Sequence, residues 1–210
     1  MKTAKGSLRL AIIALEEHGL LLQSDSLLPN AVNILAGESV KGSWWVHPRG
    51  HEIFRDLNAL ADNENVLVTK LVSGKVTLVH KKLWQDFISI ATARDRWQKR
   101  DLSTAAIFLL RSVDRKGILF TNEIAWPKRL EYAKVGNATR ELEQLLLVNA
   151  EEFHTDKGAH AKSIETWAHW ATRVGFRDEL RPVTDAKKRF ETLIAKLNKQ
   201  YRGKATLPWL

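Results

Sequence analysis

One lysine stands inside an apolar run whose pattern predicts a β-strand. Lys70 lies within Val66–Val72, and strict alternation places its side chain on the same face as the flanking valines. An amine on a partly buried face has a lowered pKa, and the neutral amine can form a Schiff base with an abasic sugar. The alternative is a lysine that blocks association at a sheet edge. Lys70 is therefore a candidate catalytic nucleophile.

A short segment rich in histidine offers metal or acid–base chemistry. It reads His47-Pro-Arg-Gly-His-Glu52, so two imidazoles lie four residues apart, a spacing that suits metal ligands on one helix face. Pro48 is best tolerated in the first turn of a helix, which places His47 ahead of the helix and separates the rings. No metal is therefore expected. His51 and Glu52 are candidate acid–base groups, since imidazole titrates near neutral pH.

Two adjacent tryptophans precede this segment in a glycine–serine loop. Trp44 and Trp45 cannot easily both face one core. One ring can therefore be exposed as a stacking platform for a base or as a wedge in a base stack. Arg49 would hold a phosphate beside them. The alternative is that both rings pack under a neighbouring hairpin, because most tryptophans are core or interface anchors.

The net charge favours a polyanionic partner. The chain holds 33 lysines and arginines against 24 acidic residues, a formal charge of +9. Residues 1–105 carry +3 (14 basic, 11 acidic) and residues 106–210 carry +6 (19 basic, 13 acidic), so the excess lies mainly in the second half. Each phosphate that a lysine or arginine neutralises releases counterions, which favours binding to nucleic acid. A scattered surface charge is the alternative.

Several classes of protein are excluded by missing motifs. The chain has no cysteine, which removes disulfides, cysteine nucleophiles and cysteine zinc sites. It lacks a phosphate-binding loop, a Gly-x-Gly-x-x-Gly motif and a Gly-x-Ser-x-Gly elbow, which argues against motors, dinucleotide dehydrogenases and typical serine hydrolases. No apolar run is long enough to span a membrane, and no signal peptide is evident. A cytoplasmic protein with no cofactor and no membrane partner is expected.

The pattern of apolar and turn residues predicts an α+β fold that is mainly helical, with two β-hairpins. The first hairpin joins Val66–Val72 to Lys75–His80 through Ser73-Gly74. The second surrounds Asp156-Lys-Gly158, and a helical course for Val148–Trp167 is the alternative. Three segments are predicted: an N-terminal α+β unit over residues 1–100, a domain over 101–175, and a linker with a basic amphipathic C-terminal helix over 176–210.

The order of elements after residue 100 is distinctive. The predicted elements are a helix Ser103–Lys116, an apolar connector Ile118–Phe120, a short helix Thr121–Trp126, a basic loop Pro127–Gly136, a helix Ala138–Leu146 and the second hairpin. This order, over about residues 102–167, resembles the winged-helix family of DNA-binding domains. The long basic loop departs from the tight turn that the family usually has.

The resemblance implies that the helix beginning near Asn137 reads the major groove. Its polar side chains would contact base edges, since arginine, asparagine and glutamine pair with guanine and adenine. Those off its apolar face are Asn137, Thr139, Arg140, Glu143 and Gln144. Phosphate contacts would come from the basic loop and the hairpin, through Lys128, Arg129, Lys134, His154 and Lys157. A solvated helix face without DNA is the alternative.

Double-stranded DNA is therefore the expected partner, held in a basic groove during DNA repair or another DNA transaction. A second hypothesis is a DNA glycosylase or abasic-site lyase that uses the Trp44-Trp45 wedge with Lys70 or a histidine–glutamate group. A third is a protein-interaction module that docks through the helix Asp185–Tyr201. Steep salt dependence would separate the first two hypotheses from the third.

Overall fold

The computed structural model describes residues 3–130, 133–155, 158 and 160–210. Over these residues the fold is α+β, with nine helices and two three-stranded antiparallel sheets. The helices are α1 (Thr3–His18), α2 (Ala31–Ala36), α3 (Gly50–Ala61), α4 (Trp84–Thr92), α5 (Arg96–Lys99), α6 (Thr104–Lys116), α7 (Val135–Gln144), α8 (Trp167–Arg173) and α9 (Val183–Tyr201). The strands are β1 (Leu20–Leu22), β2 (Val66–Val72), β3 (Lys75–His80), β4 (Ile118–Phe120), β5 (Asn149–His154) and β6 (His160–Glu165). Short 3₁₀ turns lie at Trp44–Val46, Lys81–Leu83 and Lys128–Leu130.

The chain divides into two compact units. Unit 1 holds Met1–Asp86, Thr184–Pro208 and Leu210, and unit 2 holds Phe87–Val183 with Trp209. Nearly all of α9 therefore belongs to unit 1, whereas the predicted segments end at residues 100 and 175. The physical reason is the apolar stripe of α9, which is buried and which a helix cannot cover alone. The docking helix of the interaction-module hypothesis is thus part of a core. None of the described helices is long and apolar enough to cross a membrane.

Unit 1 packs three N-terminal helices over a small sheet of strand order β1-β3-β2. The predicted hairpin is confirmed with the predicted bounds, because Ser73 and Gly74 both adopt the positive φ (53° and 66°) that a two-residue hairpin turn needs. Strand β1 has only three residues, too few to show a period in the sequence. The core of this unit is built from α1, α2, α3 and the sheet, and includes Ala11, Leu15, Leu21, Leu35, Ile53, Leu60 and Leu78.

Unit 2 contains a second sheet, of strand order β4-β6-β5. The predicted second hairpin is confirmed, since β5 and β6 pair from Asn149 opposite Glu165 to His154 opposite His160. The helical alternative for this segment is therefore wrong. The segment predicted as an apolar connector forms β4 and pairs with β6. Helices α6 and α7 cover the sheet through a core that includes Leu109, Val113, Leu142, Val148 and Ile164.

The short helix predicted over Thr121–Trp126 is wrong. Thr121 extends the sheet pairing instead: its backbone N–H donates to the Lys162 carbonyl at 2.8 Å, and its hydroxyl accepts from the Lys162 N–H at 2.8 Å. The Trp126 indole donates to the Leu130 carbonyl at 2.7 Å, which closes the 3₁₀ turn that follows. Helix α7 then begins at Val135, three residues earlier than predicted.

Candidate nucleic-acid interface

Helix α7 presents one row of polar side chains to solvent. Asn137, Arg140 and Gln144 are exposed and follow the spacing i, i+3, i+7, which aligns them along one side of a helix. The opposite side is buried through Ala138 and Leu142, so the row must face outward. We refer to these three residues as the polar row. Each carries an amide or guanidinium group that can pair with a base edge.

Two other residues predicted to face outward on this helix lie inside the unit. Thr139 is fully buried, and its hydroxyl donates to the Val135 carbonyl at 3.0 Å. The assignment of Thr139 to a contact surface is therefore corrected. Glu143 is also buried, and its carboxylate accepts a hydrogen bond from the Lys162 amine at 3.0 Å. A lysine of strand β6 thus contacts α7 on a side that helical periodicity alone left open.

Three cations gather at the start of α7. Lys128 and Arg129 lie in the 3₁₀ turn before the helix, Lys134 is its N-cap residue, and all three are exposed. We call them the basic cluster. The first turn of α7 contains no acidic residue. Cations at a helix N-terminus are unfavourable for the helix itself because the helix dipole is positive there. An anionic ligand gives this arrangement a physical reason, since helix N-termini bind phosphate.

Ion pairs and hydrogen bonds hold α7 on both sides. The Glu141 carboxylate accepts from the backbone N–H and the hydroxyl of Ser103, both at 2.7 Å, which ties α7 to the N-cap residue of α6. The Glu143–Lys162 pair ties α7 to β6. The polar row therefore lies on a helix that is tied to two neighbouring elements.

Two hairpin residues, His154 and Lys157, were predicted to contact phosphate. Lys157, placed at the hairpin tip, lies outside the described residues. His154 is described through its backbone alone, as the last residue of β5 opposite His160. The imidazole of His160 contacts the Glu152 carboxylate at 2.6 Å, so the described part of the hairpin end carries a histidine–glutamate pair.

In unit 1, the tryptophan pair forms a stack with one exposed ring. The Trp44 and Trp45 rings are 4.2 Å apart at 23°, Trp44 is half-buried, and Trp45 is 57% exposed. Arg49 makes two internal hydrogen bonds beside them. Its Nε donates to the Glu52 carboxylate at 2.8 Å and its Nη1 to the Ala36 carbonyl at 3.1 Å. The second bond ties the loop to α2, and the phosphate role of Arg49 stays a prediction.

Side chains of the histidine segment that follows also form hydrogen bonds within unit 1. The His47 ring bonds the Glu38 carboxylate through Nε2 at 3.0 Å and accepts the Arg49 N–H through Nδ1 at 3.1 Å. The hydrogen bond from Arg49 lowers the pKa of Glu52, which disfavours Glu52 as a general acid. His51 is exposed in the first turn of α3. Among the described residues, no group of three or more histidines and carboxylates is placed to hold a metal ion.

Lys70 lies on an irregular part of β2. The register of the hairpin shifts between Thr69 and Val72, and Lys70 within that stretch is half-buried. A bulge breaks the alternation of side chains along a strand. The regular strand face on which the nucleophile prediction rested is therefore absent around Lys70.

One polar cluster in unit 2 was missed by sequence reasoning. The Glu165 carboxylate, with 4% of its side chain exposed, accepts from His169 Nδ1 at 2.7 Å and Asn149 Nδ2 at 3.2 Å. Arg173 contacts both of its oxygens and also reaches Glu151 at 3.0 Å. Burial pushes the pKa of Glu165 upward, but hydrogen bonds from Arg173, His169 and Asn149 outweigh it and hold the pKa below its ordinary value. The spacing of Glu165, His169 and Arg173, four residues each, was a usable signal.

The described site residues thus separate into two groups. Asn137, Arg140 and Gln144 with the basic cluster form a surface on unit 2, and Trp44 with Trp45 forms an aromatic stack on unit 1. Comparison with protein-family models, with curated proteins and with solved structures finds no match to this chain.

Proposed function

We propose that unit 2 binds duplex DNA, with α7 as the helix that enters the major groove. The observation that carries the proposal is the polar row of α7 beside the basic cluster at its N-terminus. Arginine pairs with guanine and asparagine or glutamine with adenine in the major groove, while surrounding cations hold the phosphates. A helix whose outer row holds these three side chain types has the composition of a recognition helix.

The topology of unit 2 supports the winged-helix interpretation. The chain runs helix α6, strand β4, a 3₁₀ turn, helix α7 and the hairpin β5–β6, and β4 joins the hairpin in one sheet. The 3₁₀ turn at Lys128–Leu130 lies within the predicted basic loop, and the segment Thr121–Trp126, at which the second helix was expected, is not helical. In this interpretation the hairpin would lie beside the duplex as the wing.

Arg140 is expected to carry part of the sequence specificity. The Arg140→Ala change should weaken binding to a duplex selected by the unmodified chain by about 1–3 kcal/mol, and should weaken binding to random duplex less, because a base contact is lost. Fluorescence anisotropy with labelled duplexes measures the affinity for the selected duplex and for the random duplex. The control is Arg100→Ala, which removes the same charge from an exposed position of unit 2 outside α7. Equal loss on both duplexes would mean that Arg140 contacts phosphate, and no loss would exclude α7 from the interface.

The basic cluster is expected to set the salt dependence of binding. Changing Lys128, Arg129 and Lys134 together to alanine should weaken binding to every duplex and reduce the slope of log K against log salt by up to about three units, since each lost phosphate contact removes roughly 0.9. The matched variant changes Lys99, Arg100 and Arg177, three exposed cations of the same unit. If both triple variants change the slope equally, net charge alone accounts for the binding.

A further inference from the structure

Unit 1 exposes an unusual amount of aromatic surface in one place. Trp45 stacks on Trp44 at 4.2 Å and also lies 5.1 Å from Phe54, with 57% of Trp45 and 41% of Phe54 exposed. The adjacent Val46 is exposed as well. Exposed apolar side chains that stand alone need no explanation, but a contiguous patch marks a site that contacts something else.

The loop that carries this patch is held by a close backbone approach and by hydrogen bonds. A Cβ at Gly50 would lie 2.8 Å from the Trp45 carbonyl oxygen, so only glycine allows α3 to approach the loop this closely. The Gly50 N–H donates to the His47 carbonyl at 2.7 Å, and the His47 ring contacts Glu38 at 3.0 Å. The exposed ring of Trp45 is therefore held in place, as a preorganised binding surface requires.

A small cleft opens beside the stacked rings. Its volume is about 260 Å³, and we call it the aromatic cleft. Aromatic rings from Trp44, Trp45 and Phe54 line it together with the amide side chains of Gln23 and Asn58. This volume lies just below the range of roughly 300–1,000 Å³ for small-molecule sites, so one ring system is the size of ligand that it suits. The amides can donate to and accept from the polar edge of such a ring.

A larger and more polar cleft, of about 870 Å³, adjoins the first. The two share Gln23, Trp44 and Val76 as lining residues, and we call the second the polar cleft. Its other walls supply three serine hydroxyls and two lysines, namely Ser24, Ser26, Ser39, Lys41 and Lys75. Lys75 pairs with Asp25 at 2.7 Å, while Lys41 is exposed. Two lysines against one aspartate leave the cleft positive.

We propose that these joined clefts bind a nucleotide unit, with its base in the aromatic cleft and its sugar and phosphate in the polar cleft. The base would extend the Trp44–Trp45 stack, and Lys41 with the serine hydroxyls would hold the phosphate. A purely apolar ligand would leave the amides, hydroxyls and lysines unused. The nucleotide is either free or part of single-stranded DNA, since both present the same base and phosphate. This site lies wholly in unit 1 and does not depend on duplex binding by unit 2.

Trp45 and Lys41 test the proposal in the full chain. The probes are a labelled eight-residue oligothymidylate, thymidine 5′-monophosphate and thymidine. Trp45→Ala should weaken oligothymidylate binding about 5- to 140-fold, the range expected for loss of one stacked base, while Trp45→Phe should retain most of the affinity. Lys41→Ala should weaken binding of the monophosphate and leave binding of thymidine unchanged. Phe120→Ala, a partly exposed aromatic of unit 2, is the matched control. Binding of the selected duplex, measured in parallel, should not change in any of these variants.

Some outcomes would identify the source of the nucleotide, and others would overturn the proposal. Competition by the monophosphate would identify a free-nucleotide site, and binding of the oligonucleotide alone would identify a single-strand site. Unchanged oligothymidylate binding in Trp45→Ala would overturn the proposal even if duplex binding by unit 2 is intact. It would also be overturned if sedimentation showed a dimer that Trp45→Ala dissociates while the nucleotide probes bind as before. Trp45 is exposed, so circular dichroism should show that its variants fold.

Discussion

Replacing Phe190 with alanine is expected to lower the free energy of unfolding by about 3–5 kcal/mol. Phe190 is fully buried at the centre of the apolar stripe of α9, with Ala186 and Ile194 one turn to either side. Alanine removes the ring and leaves a cavity that a close-packed core fills only in part. Chemical denaturation followed by circular dichroism measures the loss. Lys188→Ala, on the exposed side of the same helix, should change stability by no more than about 0.5 kcal/mol.

This prediction tests whether α9 is part of unit 1. Further contacts join the C-terminal residues to the same unit. Arg189 donates to the buried Asp86 carboxylate at 2.7 Å. The Ser73 N–H donates to the Thr206 carbonyl at 2.9 Å, and the Thr206 N–H donates to the Ser73 hydroxyl at 3.1 Å. If Phe190→Ala and Lys188→Ala unfold at the same denaturant concentration, the apolar side of α9 does not contribute to the core of unit 1. A docking role for its apolar side would then be open again.

Long elements with a clear period could be predicted from the sequence, and short ones could not. The first hairpin has β-branched strands and a Ser-Gly turn, so both its strands were predicted with the observed bounds. Strands β1 and β4 have three residues each and exist only because β3 and β6 pair with them. Such pairing is a tertiary effect that no local pattern contains.

One helix boundary was visible in the sequence but was not used. Leu83, Phe87 and Ala91 repeat at helical spacing, which predicts a single helix over about Lys81–Lys99. The structure instead has a 3₁₀ turn followed by α4 and α5. Arg94 adopts a positive φ of 54°, and Asp95 with Gln98 forms a capping box that starts α5. An aspartate three residues before a glutamine is a recognised start signal, so the break followed a rule of local chemistry.

On α7, helical periodicity predicts correctly which side chains are exposed at some positions but not at others. Periodicity alone identifies the polar row correctly, because Ala138 and Leu142 define the opposite side. Thr139 and Glu143 flank that side, and whether a flanking residue is buried depends on what packs there, which for Glu143 includes Lys162 of β6. The same limit applies to the tryptophan pair. The adjacency of the two tryptophans in a glycine–serine loop favours exposure of one ring, but only the fold of the loop decides that it is Trp45.

Replacing Arg173 with alanine is expected to destabilise the protein by about 2–3 kcal/mol at neutral pH. Removing one partner of a buried ion pair costs roughly 3–5 kcal/mol, and 43% exposure of the Arg173 side chain reduces that cost through solvent screening. Arg173 is the strongest of the hydrogen-bond donors that lower the pKa of Glu165. Without it, the opposing effect of burial is less well compensated and the pKa of that carboxyl rises, so the charge at this buried position becomes less favourable.

The pH dependence distinguishes this electrostatic effect from lost packing. In the unmodified chain the folded-state pKa of Glu165 lies below its ordinary value of 4.5, so the stabilisation is complete above that pH and is lost as the pH falls through the folded-state value. In Arg173→Ala that stabilisation is already missing, so the difference between the two proteins should be largest near pH 7 and should shrink below about pH 4.5. Denaturation curves across this range measure it. The control is Arg94→Ala, which breaks the more exposed pair with Asp114 and should cost less than about 1 kcal/mol. A loss in Arg173→Ala that stays constant from pH 7 to pH 3 would mean that Arg173 stabilises unit 2 by packing rather than by holding the charge of Glu165.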